Sequence, residues 1–347
     1  MTLFSYRPDM KAVFCDRHRL HNPGTVVEGG VARPSRDVPG RLDALLRAVR
    51  RAGLQVVNPV DHGMSPLKEV HTDRYLEFLA ATGGLESAPL VPVVFETRPE
   101  LYRLEWSRIA KAGYHLRDQI TPIGQGTWQA AYWAAQVALT AAALIHDGER
   151  VVYALCRPSG HHASCDFGGG GTYLNNAAIA ARALSASMGR VSLIDIDVHH
   201  GNGTQDIFWE DPQVFFASLH RSPINYYPHL SGFADETGGR TAKGLTLNYP
   251  LPEHAEDAIY LTAFTECLDA ALAHSPRALI ISLGFDALES DPAKGLHLSV
   301  RAFRRIGEIL SKIECPVLLV QEGGYDLTTL EEAAVAFLGE FGSRRAG

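Results

Sequence analysis

Three polar residues, Asp195, Asp197 and His199, follow the apolar run Val191–Ile194, and their i, i+2, i+4 spacing projects them from one face of extended backbone. Two such groups can grip one ion. A third carboxylate arriving from another strand end would complete a three-ligand site with an open position, the arrangement of a catalytic zinc centre. Asp286, in the string GFDALESDP, is a candidate for that ligand. Two carboxylates and one imidazole leave a divalent ion nearly neutral and Lewis-acidic, and the same donors suit Fe2+ or Co2+ as well as Zn2+. Residue by residue, plainer readings compete. A lone Asp at a strand end more often caps a helix or closes a turn, and the tandem His161–His162 fits a surface position as well as a site. Gly168–Gly171 reads as a turn needing positive φ, and Tyr325 reads as a buried tyrosine.

Convergence favours a site. RPSGHHA follows the run Val151–Leu155, DIDVHHGNGT follows Val191–Ile194, GFDALESDP follows Ala278–Leu283 and QEGGYD follows Pro316–Val320. In a doubly wound sheet, ligands bind beyond the carboxyl ends of the strands, so four polar strings at four strand ends belong together. Further short runs at Lys11–Cys15, Leu54–Val57 and Val214–Leu219 complete a set whose near-continuous apolar character suits strands buried on both faces. Between the runs lie amphipathic or alanine-rich stretches, Gly40–Ala52, Trp128–Ile145, Asn176–Met188, Ala255–Ala273, Val300–Lys312 and Leu330–Leu338, which read as helices. This alternation predicts an α/β fold with a mainly parallel sheet covered on both sides. No linker divides the chain, so residues 1–347 read as one domain, with an insertion at about 82–127 where Pro89, Pro92, Pro99 and Pro122 interrupt the rhythm.

Composition sets outer limits. With 347 residues, 46% hydrophobic and 20% charged, the chain can bury a large core. A net charge of −7 without a Lys/Arg run argues against a nucleic-acid partner. No stretch reaches the ~18–20 apolar residues of a membrane span. Five scattered cysteines without a CxxC pair read as reduced thiols, and charges break the N-terminal segment before it resembles a signal peptide, so a cytoplasmic protein is expected.

With these strings in place, and with YLNNAAIAA and FFASLH beside them, nearly the whole chain resembles the histone deacetylase superfamily, and within it the bacterial acetylpolyamine amidohydrolases. The resemblance implies the single-domain arginase/deacetylase fold, with an eight-stranded sheet, and zinc held by Asp197, His199 and Asp286. It implies His162 as the base that activates water, His161 as its electrostatic partner backed by Asp195, and Tyr325 as the hydroxyl that stabilises the oxyanion. It also implies a structural K+ beside Asp195, Asp197, His199, Ser218 and Leu219, and a homodimer or homotetramer whose inserted loop shapes a narrow cleft. Arginases share the fold but hold two metals, and the positions of their extra carboxylates are Gly201 and Leu288 here.

The implied chemistry is coherent. Asn202 is the expected partner of His162, and a neutral amide raises an imidazole's basicity less than a carboxylate does. Tyr325 follows Gly323–Gly324, where a flexible turn would let the phenol swing. The sequence departs from the family in the substrate channel. Gly171 stands where an aromatic wall is usual and Thr172 where cysteine is usual, with Tyr227 expected on the opposite wall. Ile109, next to Arg108, stands where an acidic residue meets a distal ammonium. A less linear or less cationic N-acyl amine is therefore expected as the small-molecule substrate. Competing readings are a protein lysine deacetylase, and a non-catalytic scaffold on the same fold.

Overall fold

Strands buried on both faces need a hydrophobic layer on each side, and the alternation of side chains along the runs supplies both. The computed structural model of the chain describes residues 10–83 and 89–342. Its strands are β1 (Lys11–Val13), β2 (Thr25–Glu28), β3 (Val31–Pro34), β4 (Gln55–Val57), β5 (Val151–Ala154), β6 (Val191–Asp195), β7 (Val214–Arg221), β8 (Thr246–Leu251), β9 (Ala278–Leu283) and β10 (Val317–Gln321). Eight of them form one sheet in the order β4-β1-β5-β10-β9-β6-β7-β8, every neighbouring pair parallel. In β9, Leu279, Ile281 and Leu283 point into one core while Ala278 and Ile280 point into the other, and β10 divides in the same way.

The helices are α1 (Gly40–Arg51), α2 (Ser65–Lys68), α3 (Asp73–Ala81), α4 (Arg108–His115), α5 (Thr127–His146), α6 (Asn176–Met188), α7 (Asn202–Phe208), α8 (Asp257–Ala273), α9 (Val300–Ser311) and α10 (Leu327–Gly342). Residues of α1, α8, α9 and α10 build the first core, and residues of α3, α5 and α6 build the second. The expected helices and all seven apolar runs read as strands lie within a few residues of these bounds.

Two strand features escape the apolar-run criterion. Strand β8 is a half-buried edge containing Pro250, which breaks the uninterrupted apolar signal. Strands β2 and β3 form an exposed antiparallel hairpin around Gly29 and Gly30, both at positive φ. Within the expected insertion, residues 84–88 lie outside the described residues. The remainder carries α4 and a bridge between Leu90 and Ile123. It is stitched to the glycine loop by backbone bonds from Gly168 N–H to His115 O (2.8 Å) and from Arg117 N–H to Gly168 O (3.0 Å).

Candidate active site

Strands β5, β10, β9, β6 and β7 are consecutive neighbours, so the polar strings at their carboxyl ends meet over one edge of the sheet. Asp197, His199 and Asp286 come together there, with one ligand atom from each lying within 4.8 Å of the others. His199 Nδ1 is 3.0 Å from Asp197 Oδ1 and 3.4 Å from Asp286 Oδ2. Asp286 Oδ2 is buried yet accepts no hydrogen bond, an arrangement costly for a carboxylate unless a cation satisfies it. Burial and neighbouring Asp197 push Asp286 up to about 7, while the two carboxylates overcome burial and push His199 up to about 9. Both shifts mark a buried cluster with an excess of negative charge, which a divalent ion would offset. The donor set fits a divalent ion: carboxylate and imidazole ligands, close-set, with one oxygen unspent. Glycine is required against it, because a Cβ on Gly323 would lie 2.6 Å from Asp197 Oδ2 and overlap Asp286 Oδ2.

The two histidines differ in their partners, and the difference sets their charge. His161 Nδ1 lies 2.8 Å from Asp195 Oδ2, and His161 Nε2 lies 3.7 Å from Asp197 Oδ1. Burial opposes the imidazolium, but Asp195 and Asp197 outweigh it and raise His161 well above its ordinary value. His162 Nδ1 lies 2.7 Å from Asn202 Oδ1. Burial, with cationic His161 and His199 nearby, lowers His162 well below its ordinary value. The rings of His161 and His162 are 4.0 Å apart, so one site holds an imidazolium beside a neutral imidazole. Gly170 (φ 57°) lies against His162, where any side chain would collide with Cδ2. Asp195 pairs with Ser218 across β6 and β7, with Leu219 next along the strand.

Tyr325 lines the same cavity, but its loop is not the free hinge that two glycines suggest. Buried Arg41 donates from Nε to Gly324 O and from Nη2 to Glu322 O, both at 2.6 Å. Gly323 N–H donates to Asp197 Oδ2 (2.8 Å), and Tyr325 N–H donates to Asp291 Oδ2 (2.6 Å). With carbonyls on both sides of Gly323 clamped, the turn is fixed. The Arg41 guanidinium also stacks 4.5 Å from the Tyr325 ring centroid. Burial raises the phenol well above 10, so it keeps its proton and can donate.

The cavity has a volume of about 640 Å³ and runs outward from His161, His162 and His199 between Gly170–Thr172 on one side and Tyr226–Tyr227 on another. Gly171 and Tyr227 both line it. Ile109 does not: it is 52% exposed on α4 and outside the cavity lining, because the outward face of that helix carries it. The loop before α4 contributes Phe95 to the wall instead, with the segment Asp118–Ile120 after the helix.

Several site residues are not evident from strand-end reasoning. Asp118 joins the glycine loop to Tyr227, accepting from Gly170 N–H (2.7 Å) and the Tyr227 hydroxyl (2.8 Å) on Oδ2. Tyr226 lies nearly parallel to His199, 5.0 Å between centroids, and donates to Ala293 O. Glu322, raised to about 8 by burial, accepts from Gly160 N–H. The QEGGYD string and the YY pair were the available signals for Glu322 and Tyr226; Arg41 and Asp118 had none.

Comparison with known proteins agrees with this architecture. The histone deacetylase domain family matches residues 35–341. An acetylpolyamine amidohydrolase of Burkholderia pseudomallei is 39% identical over 343 residues, covering 97% of this chain and 100% of that protein. Acetylpolyamine amidohydrolase 1 of Pseudomonas aeruginosa is 39% identical, covering 95% of this chain and 98% of its own length. A crystal structure of the acetylpolyamine aminohydrolase from Burkholderia pseudomallei superimposes with a TM-score of 0.92 at 38% identity, covering 96% of this chain and 99% of that one. The chain belongs to the histone deacetylase domain family and is a hydrolase of amide bonds.

Proposed function

We propose that the protein is a single-domain, metal-dependent deacetylase of small N-acyl amines, the compound class that includes the acetylpolyamines named for its relatives. The observation that carries this reading is the unsatisfied Asp286 Oδ2 beside an imidazole held neutral by its surroundings. Asp197, His199 and Asp286 would hold Zn2+, with Fe2+ or Co2+ as alternatives of similar ligand preference. When bound, the ion supplies Lewis acidity toward the amide carbonyl and the attacking water.

The chain's own groups do the rest. An imidazole whose Nδ1–H donates to Asn202 Oδ1 carries its lone pair on Nε2, so His162 accepts the proton of the attacking water there and passes it to the departing amine. Cationic His161, anchored by Asp195, stabilises the negative charge that develops beside it. Tyr325, held by Arg41 and Asp291, donates its hydroxyl to the oxyanion. A structural K+ suits the oxygen-rich edge formed by Asp195, Asp197, His199, Ser218 and Leu219.

The hairpin β2–β3 and the segment following Leu90 deepen the cavity, which favours small amides over acetylated protein chains. We further propose a cytoplasmic protein that assembles as a homodimer or homotetramer; no helix among the described residues is long and apolar enough to cross a membrane. Acetate release from a panel of N-acetyl amines, with zinc added after chelator treatment, tests the function. Metal-dependent release is expected. A metal-loaded protein inert toward every amide would overturn the assignment.

A further inference from the structure

Every acidic residue lining the cavity already has a partner. Asp37 lies between two buried guanidinia, accepting from Arg41 Nη1 (2.6 Å) and Arg157 Nε (2.8 Å). Asp118 accepts four hydrogen bonds, from Gly170 N–H, Ile120 N–H and the hydroxyls of Tyr227 and Thr121. The third, Glu28 on the hairpin, faces Arg33 Nε at 3.8 Å and Arg36 Nη2 at 3.7 Å, both on the same carboxylate oxygen. Arg33 and Arg36 also line the cavity, so this part of the mouth carries two positive charges against one negative. Val26, Val27, Phe95 and Ile120 contribute apolar surface to the same cavity.

From this we infer that the preferred substrate is an N-acyl amine with an aliphatic spacer and an anionic far end, such as a carboxylate, received by Arg33 and Arg36. The inference rests on reading the cavity as the amide-hydrolysing site. An ammonium at the far end would meet the two guanidinia with no uncommitted carboxylate lining its path. A carboxylate would meet planar forks with unspent N–H donors, at the modest cost of sharing them with Glu28. The net charge of −7 acts over the whole surface and is screened within about 10 Å at ordinary salt, whereas the rim charges act where the ligand sits.

Three probes of matched length test the idea on the full-length, metal-loaded protein: N-acetyl-4-aminobutyrate, N-butylacetamide and N-acetylputrescine. The anionic probe should exceed the cationic one in kcat/KM by about tenfold, the sum of two exposed pairings. Its advantage over the neutral probe should shrink as salt is raised. Reversing the rim with Arg33→Glu and Arg36→Glu should invert the anion-to-cation ratio. Wild-type preference for N-acetylputrescine, or a ratio indifferent to charge reversal, overturns the proposal. Calorimetric binding of the same three compounds reads the preference without turnover, and tighter binding of the cation overturns it there too. Failure to hydrolyse any probe while binding follows the expected order would sink the amide-hydrolysis reading and leave the charge preference supported.

Discussion

Replacing Asn202 with aspartate changes one charge at an almost constant shape, and it addresses the group on which the proposed proton transfer depends. His162 Nδ1 is 2.7 Å from Asn202 Oδ1, so the charge centres of an imidazolium and an aspartate there would lie roughly 4 Å apart. At an effective dielectric constant of about 20 that pair is worth about 4 kcal/mol, or about 3 units of pKa. Desolvating the new carboxylate returns part of this, leaving an expected rise of about 2 units. In the wild type, burial and the cationic neighbours hold His162 well below its ordinary value, so kcat/KM should stay on its plateau into mild acid. In Asn202→Asp the acid limb should move up by about 2 pH units, with activity recovering at alkaline pH because the base is only protonated, not removed. The assay is the pH profile of kcat/KM on a neutral N-acetyl amine, with metal content measured in parallel. An acid limb that stays in place or moves down would refute the reasoning. So would activity lost at every pH with the metal still bound.

Other outcomes follow from the same geometry. His162→Ala should lower kcat by about 10²–10⁴-fold while keeping stoichiometric metal by elemental mass spectrometry, because the imidazole is assigned as base and lies outside the ligand cluster. Tyr325→Phe should lower kcat by about 10²–10³-fold with little change in KM, the effect of losing one oxyanion donor. Chelation should make stability pH-dependent. Asp286 (about 7) and His199 (about 9) both lie above their ordinary values, so the stability they confer is full at low pH and lost as pH rises through those values. The melting temperature of the metal-free protein should therefore fall between about pH 4 and 9, first as Asp286 ionises and then as His199 loses its proton, and added zinc should restore it at the alkaline end. A metal-free melting curve independent of pH would count against the cluster. Arg41→Ala should cost several kcal/mol of stability, about 3–5, since it leaves Asp37 with one fewer cation and the Gly324 and Glu322 carbonyls unpaired; denaturant titration measures it.

Much of this site is legible in the sequence because its residues sit at strand ends. Asp197, His199 and Asp286 follow apolar runs whose parallel pairing forces their termini to one edge, so local pattern and global position coincide. Asn202 against His162 and Asp195 against His161 follow from the family resemblance, and the distances agree with those pairings. What stays hidden depends on contacts distant in the chain. Arg41 reads as an ordinary charge in the first turn of α1, and only the approach of the loop after β10 makes it a buried clamp. The hairpin carried a weak signal, the β-branched run Thr25–Val27 ahead of Gly29–Gly30, but it is too brief to stand out by hydrophobicity and Val31–Pro34 beyond the glycines does not repeat it. For Ile109 the sequence carries no sign of which way its helix in the inserted segment faces, and the structure puts it on the exposed side of α4.

The glycine loop has a consequence for anyone wishing to reshape the pocket. Gly170 and Gly171 have φ of 57° and 76°, and beyond Gly171 a Cβ would meet only the Ile120 carbonyl at 3.8 Å. There is room for a side chain but no comfortable backbone for one, a penalty of about 1–2 kcal/mol. The breadth of this flank is thus encoded in main-chain geometry, and a single substitution cannot restore a flat ring without bending the loop that abuts His162. Chelating inhibitors with a branched group beside the linker should exploit this flank, whereas relatives with an aromatic ring there would exclude them.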